Sequence, residues 1–126
     1  MCRSRPTVEI KYQVKDLETA DYPSDFFDCI VLIFAHFHPL ERNTFHNKLI
    51  TFLKPGGTII LEGFSKKQMQ YNSGGPRNLE MLFSADEIQI DFKLLSKTEL
   101  KETETVLDEG RFHQGPASVI RMIGRK

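Results

Sequence analysis

The sequence predicts an α/β fold with a mostly parallel sheet that ends in an antiparallel hairpin. The strongest observation is the stretch 27–62, which reads as strand, loop, helix, Gly-Gly turn and strand. A β-α-β unit of this kind makes its two strands parallel neighbours joined by a right-handed crossover. The second observation is a pair of late segments, 94–107 and 117–125, whose pattern and short connection predict the hairpin.

The amino-terminal part of the chain predicts a strand, a loop and a second strand. In the first segment four apolar residues alternate with polar ones, which is the period of a half-buried strand; they are Val8, Ile10, Tyr12 and Val14. Residues 16–25 are polar and include one proline, so they predict a loop. Residues 27–34 form a nearly continuous apolar run, which is typical of a strand covered on both faces.

The middle of the chain predicts a helix followed by a buried strand. One helical face is predicted by four apolar residues at positions i, i+4, i+7 and i+8, namely Phe45, Leu49, Phe52 and Leu53. Pro55 cannot continue the helix, and the two glycines after it supply a left-handed turn that closes it. Residues 58–61 then predict a short strand that is buried because it is apolar and β-branched.

The second half predicts short helical pieces before the hairpin. Residues 65–70 predict a helical turn and residues 72–78 a loop. Ser84 with Glu87 three residues later forms a capping box, which predicts the start of a short helix. The expected core joins sheet residues to one helix face: Cys29, Val31, Ile33, Ile59, Leu61, Ile120 and Met122, backed by Phe45, Leu49 and Phe52.

Length, charge and cysteine content narrow the class of protein. The 126 residues predict one domain, residues 1–126. Seventeen Lys and Arg balance seventeen Asp and Glu, so no basic patch favours nucleic acid. No apolar run approaches the ~18 residues of a membrane span, and no signal peptide is evident. Cys2 and Cys29 form no C-x-x-C pair, and we expect Cys29 to be a buried, reduced thiol in a cytoplasmic protein.

The predicted topology indicates where a ligand would bind. In open sheets with parallel strands, ligands lie beyond the carboxyl ends of the strands. That rule selects Asp16 and Leu17, residues 34–38 and residues 62–64. The loop 108–115 begins at the carboxyl end of a predicted strand, so we expect it to face the same crevice.

Four segments in order carry a family resemblance. They are DLETADYPSDFFDCIVLIFAHF, RNTFHNKLITFLKPGGTIILEGF, GGP with MLF shortly after, and EGRFHQGPASVIRMIGRK. The pattern FDxIVxIFxH followed by LKPGGxxILE resembles the class I S-adenosylmethionine-dependent methyltransferases. Within that family, the chain looks like the branch of tellurite-resistance methyltransferase-like proteins.

The resemblance implies a truncated Rossmann-like methyltransferase sheet in which the last strand lies between the two strands before it. The family's glycine-rich cofactor loop and its ribose-binding acidic residue are expected upstream of Val8, so the chain corresponds to the carboxyl-terminal portion of the fold. By the same resemblance, Asp16 falls where an acidic group reaches the adenine amine of S-adenosylmethionine, and Leu17 where a backbone amide meets the ring. Residues 33–36, which begin with Ile33 and Phe34, fall on the wall beside the methionine moiety and the methyl acceptor.

Three residues are candidate catalytic groups, and each has a structural alternative. His36 follows a strand and could act as a general base near neutral pH, or it could cap the strand end by hydrogen bonding. Glu62 could orient an acceptor, or it could pair with Arg42 or Lys66. His113 lies in a glycine-bounded loop that could close over the substrate, or that loop could be a plain hairpin connection.

Two other patterns have simpler explanations. His36 and His38, with His46 nearby, would need imidazoles converging on one ion, and no third ligand has diagnostic spacing, so we expect no metal site. The sequence GGP at 74–76 lacks a following Lys-Ser/Thr and does not join a strand to a helix, so it predicts a turn.

The sequence therefore supports two functions. The first is an S-adenosylmethionine-dependent methyltransferase-like protein acting on a small-molecule acceptor, impaired in cofactor binding because the glycine loop is not among these residues. The second is a non-catalytic α/β module that self-associates or regulates a partner. We also expect a homodimer, because the predicted strand 27–34 has an apolar edge that lacks Lys and Pro. The alternative is that segment 8–14 of the same chain pairs with that edge.

Overall fold

A computed structural model of the chain describes residues 7–126. Within these residues it contains four strands, two α-helices and two short 3-10 helices. The strands and helices are β1 (Phe27–Ile33), α1 (Pro39–Phe52), β2 (Leu53–Phe64), α2 (Ala85–Asp91), β3 (Lys97–Asp108) and β4 (Gln114–Arg125), with 3-10 helices at Lys66–Gln70 and Leu79–Met81 between β2 and α2.

The strands form one sheet in the order β1-β2-β4-β3. β1 and β2 are parallel, whereas β4 runs antiparallel to both β2 and β3. The α/β class, the crossover unit and the carboxyl-terminal hairpin are therefore confirmed, and β4 does lie between the two strands that precede it. Within residues 7–126 the sheet is mixed rather than mostly parallel, because only one of its three strand pairs is parallel.

The predicted strand over Val8, Ile10, Tyr12 and Val14 does not form. Residues 7–16 have no regular secondary structure, and Ile10, the least exposed of these four side chains, is 61% exposed. The alternating pattern is that of a strand, but a strand exists only when its backbone groups pair with a neighbour. Without this strand, β1 is an edge strand of the described sheet.

Helix α1 covers one face of β1 and β2. His38 caps the first turn of α1, because its Nδ1 atom accepts a hydrogen bond from the Leu40 amide at 3.3 Å. Pro39 occupies the first helical position, where an N–H group would have no partner within the helix, so its absence loses no hydrogen bond.

At the other end, α1 stops at Phe52 because Leu53 is already extended, with a φ of −75° and a ψ of 140°. The prediction that Gly56 and Gly57 close the helix is therefore wrong: Gly56, with a φ of 80°, lies inside β2, where the register with β1 shifts.

The main core lies between this sheet face and the two α-helices. The predicted core residues Phe45, Leu49, Phe52, Ile59, Leu61, Ile120 and Met122 are all buried there. Helix α2 adds Ile88 and is capped as predicted, with Ser84 Oγ accepting from the Glu87 amide at 3.1 Å.

Three residues predicted for the core, Cys29, Val31 and Ile33, are exposed instead. Val31 and Ile33 are 54% and 51% exposed, and Cys29 is an exposed free thiol. Side chains alternate across a strand, so these three lie on the sheet face opposite α1, which we call the open face. The apolar run of β1 predicts burial on both faces, but the described residues cover only the face that carries Leu32.

Candidate active site

The carboxyl end of β1 is marked by an unusual backbone conformation. Phe34 has a φ of 52°, in the left-handed region that bulky side chains rarely adopt. Its amide donates to the Glu62 carbonyl at 2.7 Å, which keeps β1 and β2 together to their ends. Its ring stacks on Phe64 with centroids 4.6 Å apart. Strained residues of this kind cluster at functional sites, which makes this strand end the first candidate.

Aromatic rings converge at this end of the sheet. Phe34 stacks on Phe64. The His36 ring stacks on Phe64 and on Phe83. The His113 ring meets Phe34 and Phe64 edge-on. We call these five residues the aromatic cluster. It brings together His36 from the loop after β1 and His113 from the loop between β3 and β4, as the strand-end rule predicts.

Both ring nitrogens of His36 are engaged with backbone groups. Its Nε2 accepts a hydrogen bond from the Phe64 amide at 3.0 Å, so the proton must be on Nδ1, which lies 2.8 Å from the Met81 carbonyl oxygen. Burial lowers the pKa of His36 from its usual value, and the nearby His46 lowers it further, against the opposing effect of the Met81 carbonyl. The result is a neutral ring that holds the 3-10 helix at Leu79–Met81 against the end of β2.

His113 is held by packing. Its side chain is about one-third exposed, and its Nδ1 lies 4.0 Å from Glu109 Oε2. The loop at Gly74 packs directly on the ring, because a Cβ at Gly74 would lie 2.6 Å from His113 Cδ2. The ring nitrogens make no hydrogen bond to residues 7–126, so His113 is the histidine of the aromatic cluster that can accept a proton.

Glu62 is occupied by a neighbour on the sheet. Its Oε2 lies 2.5 Å from Arg121 Nε, and the two residues face each other across β2 and β4. The alternative partners considered for Glu62 are wrong, because Arg42 pairs with Asp91 and Lys66 pairs with Glu87. Glu62 also pairs in register with Ile33, so its side chain lies on the open face.

The structure separates the four residues that the family resemblance assigns to cofactor binding, which are Asp16, Leu17, Ile33 and Phe34. Leu17 and Ile33 line the same groove of about 390 Å³, which runs along β1 beside α1. The Asp16 carboxylate accepts from the Glu18 amide at 3.0 Å and so closes its own turn. Phe34 turns away from the groove into the aromatic cluster.

These positions fit only part of an S-adenosylmethionine site. Leu17 and Ile33 offer an apolar wall suited to a flat ring, but residues 7–126 contain no glycine loop between a strand and a helix to hold the ribose and carboxylate. Among the same residues there is no cluster able to hold a metal ion, and no helix is long and apolar enough to cross a membrane.

The sequence did not reveal a buried polar network behind the site. Asp91 of α2 accepts hydrogen bonds from Arg42 Nε at 2.7 Å, Asn43 Nδ2 at 2.8 Å and His46 Nδ1 at 2.8 Å. Asp91 is desolvated, which raises its pKa, but the hydrogen bonds from His46, Arg42 and Asn43 outweigh this and lower the pKa to about 2. One feature of the sequence could have indicated this network. Its spacing puts three hydrogen-bond donors on one side of α1, namely Arg42, Asn43 and His46.

Comparison with known proteins agrees with this fold. Residues 1–61 match the model of a methyltransferase domain family. A ubiquinone/menaquinone biosynthesis C-methyltransferase from Pectobacterium carotovorum is 35% identical over 57 residues, which cover 45% of this chain and 23% of the relative. The corresponding protein from Erwinia tasmaniensis is 30% identical over 61 residues, 48% of this chain and 24% of the relative. The matches thus span about a quarter of the relatives' length.

Solved structures share the fold over most of the chain. An S-adenosylmethionine-dependent methyltransferase from Methanosarcina mazei superposes with a TM-score of 0.59 at 17% identity, covering 90% of this chain and 66% of that one. One from Thermotoga maritima gives a TM-score of 0.58 at 12% identity, covering 89% and 62%. Together with the sequence matches and the sheet order, these findings show that the chain has the fold of the S-adenosylmethionine-dependent methyltransferases and that its first half is similar to a methyltransferase domain family.

Proposed function

We propose that residues 1–126 act as one domain, the carboxyl-terminal portion of a methyltransferase fold, and supply the acceptor side of a methyl-transfer site. The observation that carries this proposal is the aromatic cluster at the carboxyl ends of β1 and β2, where Phe34 adopts a left-handed backbone. Methyl transfer requires little covalent work from the protein, so a wall that positions the acceptor and excludes water is a sufficient contribution.

The geometry suggests different roles for the three candidate catalytic residues. His113 is the residue proposed to take a proton from the acceptor, because its ring nitrogens are not hydrogen-bonded to residues 7–126. His36 is proposed as a positioning residue, since both of its nitrogens hold backbone groups. Glu62 is proposed to orient the acceptor indirectly, because its carboxylate is paired with Arg121.

A small aromatic acceptor fits this wall best. The bacterial relatives are named for C-methylation in quinone biosynthesis, and a quinol ring can stack on aromatic side chains such as Phe34 and Phe64. Binding of S-adenosylmethionine by this chain alone is expected to be weak or absent. The exposed free thiol of Cys29 supports a reducing, cytoplasmic setting.

Titration by NMR tests both halves of this proposal. A soluble naphthoquinol should shift the signals of Phe34, Phe64 and His113, and the His113→Ala variant should weaken this binding while Gln114→Ala, an exposed neighbour, should not. No shift at the aromatic cluster would reject the acceptor site. Calorimetry with S-adenosylmethionine should give no tight binding, and a micromolar Kd, about −8 kcal/mol, would contradict the expected impairment.

The second candidate function is a non-catalytic module that self-associates. The observation in its favour is an edge of β1, beside an apolar groove, with which no strand of residues 7–126 pairs. A homodimer is compatible with either function.

A further inference from the structure

A buried polar cluster adjoins the aromatic cluster. Ser65 directly follows Phe64, and Ser73 directly precedes Gly74, which packs on the His113 ring. Polar side chains are stable in a protein interior only when hydrogen bonds replace the water they have lost. The polar cluster consists of four side chains that are each at most 3% exposed, namely Ser65, Gln68, Ser73 and Ser118.

Gln68 is at the centre of the polar cluster and uses both ends of its amide. It lies in the 3-10 helix Lys66–Gln70 and is fully buried. Its Oε1 accepts a hydrogen bond from the Ser118 amide of β4 at 2.9 Å. Its Nε2 donates to Ser73 Oγ at 2.9 Å and to the Gly74 carbonyl at 3.1 Å. A side-chain amide has two N–H donors, so both are spent on the connection between the two 3-10 helices, residues 71–78, which we call the Gly74 loop.

Further hydrogen bonds of the polar cluster fasten the Gly74 loop and the end of β2 to β4. Ser73 Oγ donates to the Pro116 carbonyl at 2.5 Å, and the Ser65 and Ser118 hydroxyls lie 2.5 Å apart. Pro116 and Ser118 belong to the first half of β4, shortly after His113 in the chain. The polar cluster therefore ties the Gly74 loop to the part of the sheet from which the His113 loop extends.

The Gly74 loop rests with its backbone on two rings of the aromatic cluster. A Cβ at Gly74 would lie 2.6 Å from His113 Cδ2, and a Cβ at Gly75 would lie 2.6 Å from Phe64 Cδ2. The two glycines have φ values of 132° and 86°, which residues with side chains rarely adopt. Because no side chain separates this backbone from the rings, a shift of the loop must either move the two rings or open a gap beside them.

We propose that Gln68 is a positioning residue for the acceptor. Its amide fixes the Gly74 loop, and the loop in turn fixes the rings of Phe64 and His113. This role rests on the acceptor site proposed above. A wall that stacks on a flat acceptor must hold its rings to within about 0.5 Å of the productive position, and a buried amide with all its bonds on backbone and neighbouring side chains supplies that restraint.

Gln68→Met tests this role, because methionine has a similar length and volume but no amide. NMR should show shifted Phe64 and His113 signals in the unliganded variant, and the Kd for a soluble naphthoquinol should rise about fivefold, which is the net contribution of roughly one hydrogen bond. Gln70→Met is the matched control, because Gln70 lies in the same 3-10 helix and is exposed. The control should leave both measurements unchanged. If Gln68 only stabilised the sheet, its loss would lower the free energy of unfolding without changing either measurement in the folded protein.

Ser73→Ala is the second variant, and it decides the question if circular dichroism shows that Gln68→Met does not fold. It removes one acceptor of the Gln68 amide and the bond to Pro116, so both measurements should change in the same direction. In a folded variant, either unchanged His113 signals or an unchanged naphthoquinol Kd would overturn the role of Gln68 alone. An equal effect of Gln70→Met would also overturn it, because the effect would not be specific to the buried amide. Failure of the wild-type protein to bind naphthoquinol would instead overturn the acceptor site, and this role with it.

Discussion

Replacing Asp91 with asparagine should destabilise the protein by ~2–4 kcal/mol, because an Arg42 guanidinium that is only 12% exposed then loses the more buried of its two carboxylate partners, Asp91 and Glu87. The structure gives an independent scale for this effect. The Asp91 pKa falls from 3.8 to about 2, and a depression of that size corresponds to roughly 2–3 kcal/mol. The amide group introduced by the substitution would also place N–H donors against the donors of His46 and Asn43.

The effect should depend on pH with a defined sign. A carboxyl whose folded pKa is depressed stabilises the folded state above its unfolded pKa, and that contribution is lost as the pH falls through the folded pKa. For Asp91 the loss should occur between pH 3.8 and about 2. The stability difference between wild type and Asp91→Asn should therefore be complete at about pH 5 and shrink as the pH falls further.

Urea denaturation followed by circular dichroism measures this difference at each pH. Asp108→Asn is the matched control, because Asp108 is exposed and its carboxylate makes no ion pair with residues 7–126. The control should change stability by less than ~0.5 kcal/mol, as surface substitutions do. If Asp91→Asn costs no more than the control, the network contributes nothing and the reasoning is wrong.

Three further predictions concern the core and the site. Leu49→Ala should cost ~2–5 kcal/mol in urea denaturation by opening a cavity, and a loss below ~0.5 kcal/mol would show that α1 packs on another face. Burial lowers the His36 pKa, so the wild-type protein should lose stability as the pH falls below 6.5, the usual pKa of histidine. Between about pH 7.5 and 5.5 the His36→Gln variant should lose less stability than wild type. Parallel plots of unfolding free energy against pH for the two proteins would refute this. Gly74→Ala should displace the His113 ring, because a Cβ at position 74 would lie 2.6 Å from both His113 Cδ2 and the Phe112 carbonyl oxygen. The displacement should appear as a shift of the His113 NMR signals, and an unchanged spectrum would contradict the close packing.

Local patterns in the sequence are enough to locate most of the elements. The apolar spacing of Phe45, Leu49 and Phe52 identifies the buried face of α1, and the Ser84–Glu87 pair identifies the start of α2. These signals are contained within a few residues. The position of β4 between β2 and β3 follows from the family resemblance, because spacing along the chain does not determine sheet order.

The failures come from partners distant in the chain. Cys29, Val31 and Ile33 are predicted to be buried because an apolar run does not reveal whether a second layer covers it. The Glu62 partner is Arg121 on a neighbouring strand, which only the register of β2 and β4 determines. Likewise, the Met81 carbonyl that engages His36 is 45 positions away in the chain. The sequence alone therefore does not decide whether His36 is a general base or a residue that hydrogen-bonds the strand end.

The place of β4 in the sheet has a consequence for synthesis on the ribosome. β4 follows the other three strands in the chain but lies between β2 and β3, which do not pair with each other. Until residues 114–125 have left the exit tunnel, β3 has no neighbour and the inner edge of β2 is open. The nascent chain must therefore carry these unpaired strand edges until β4 emerges, and during that interval edge-to-edge aggregation competes with folding.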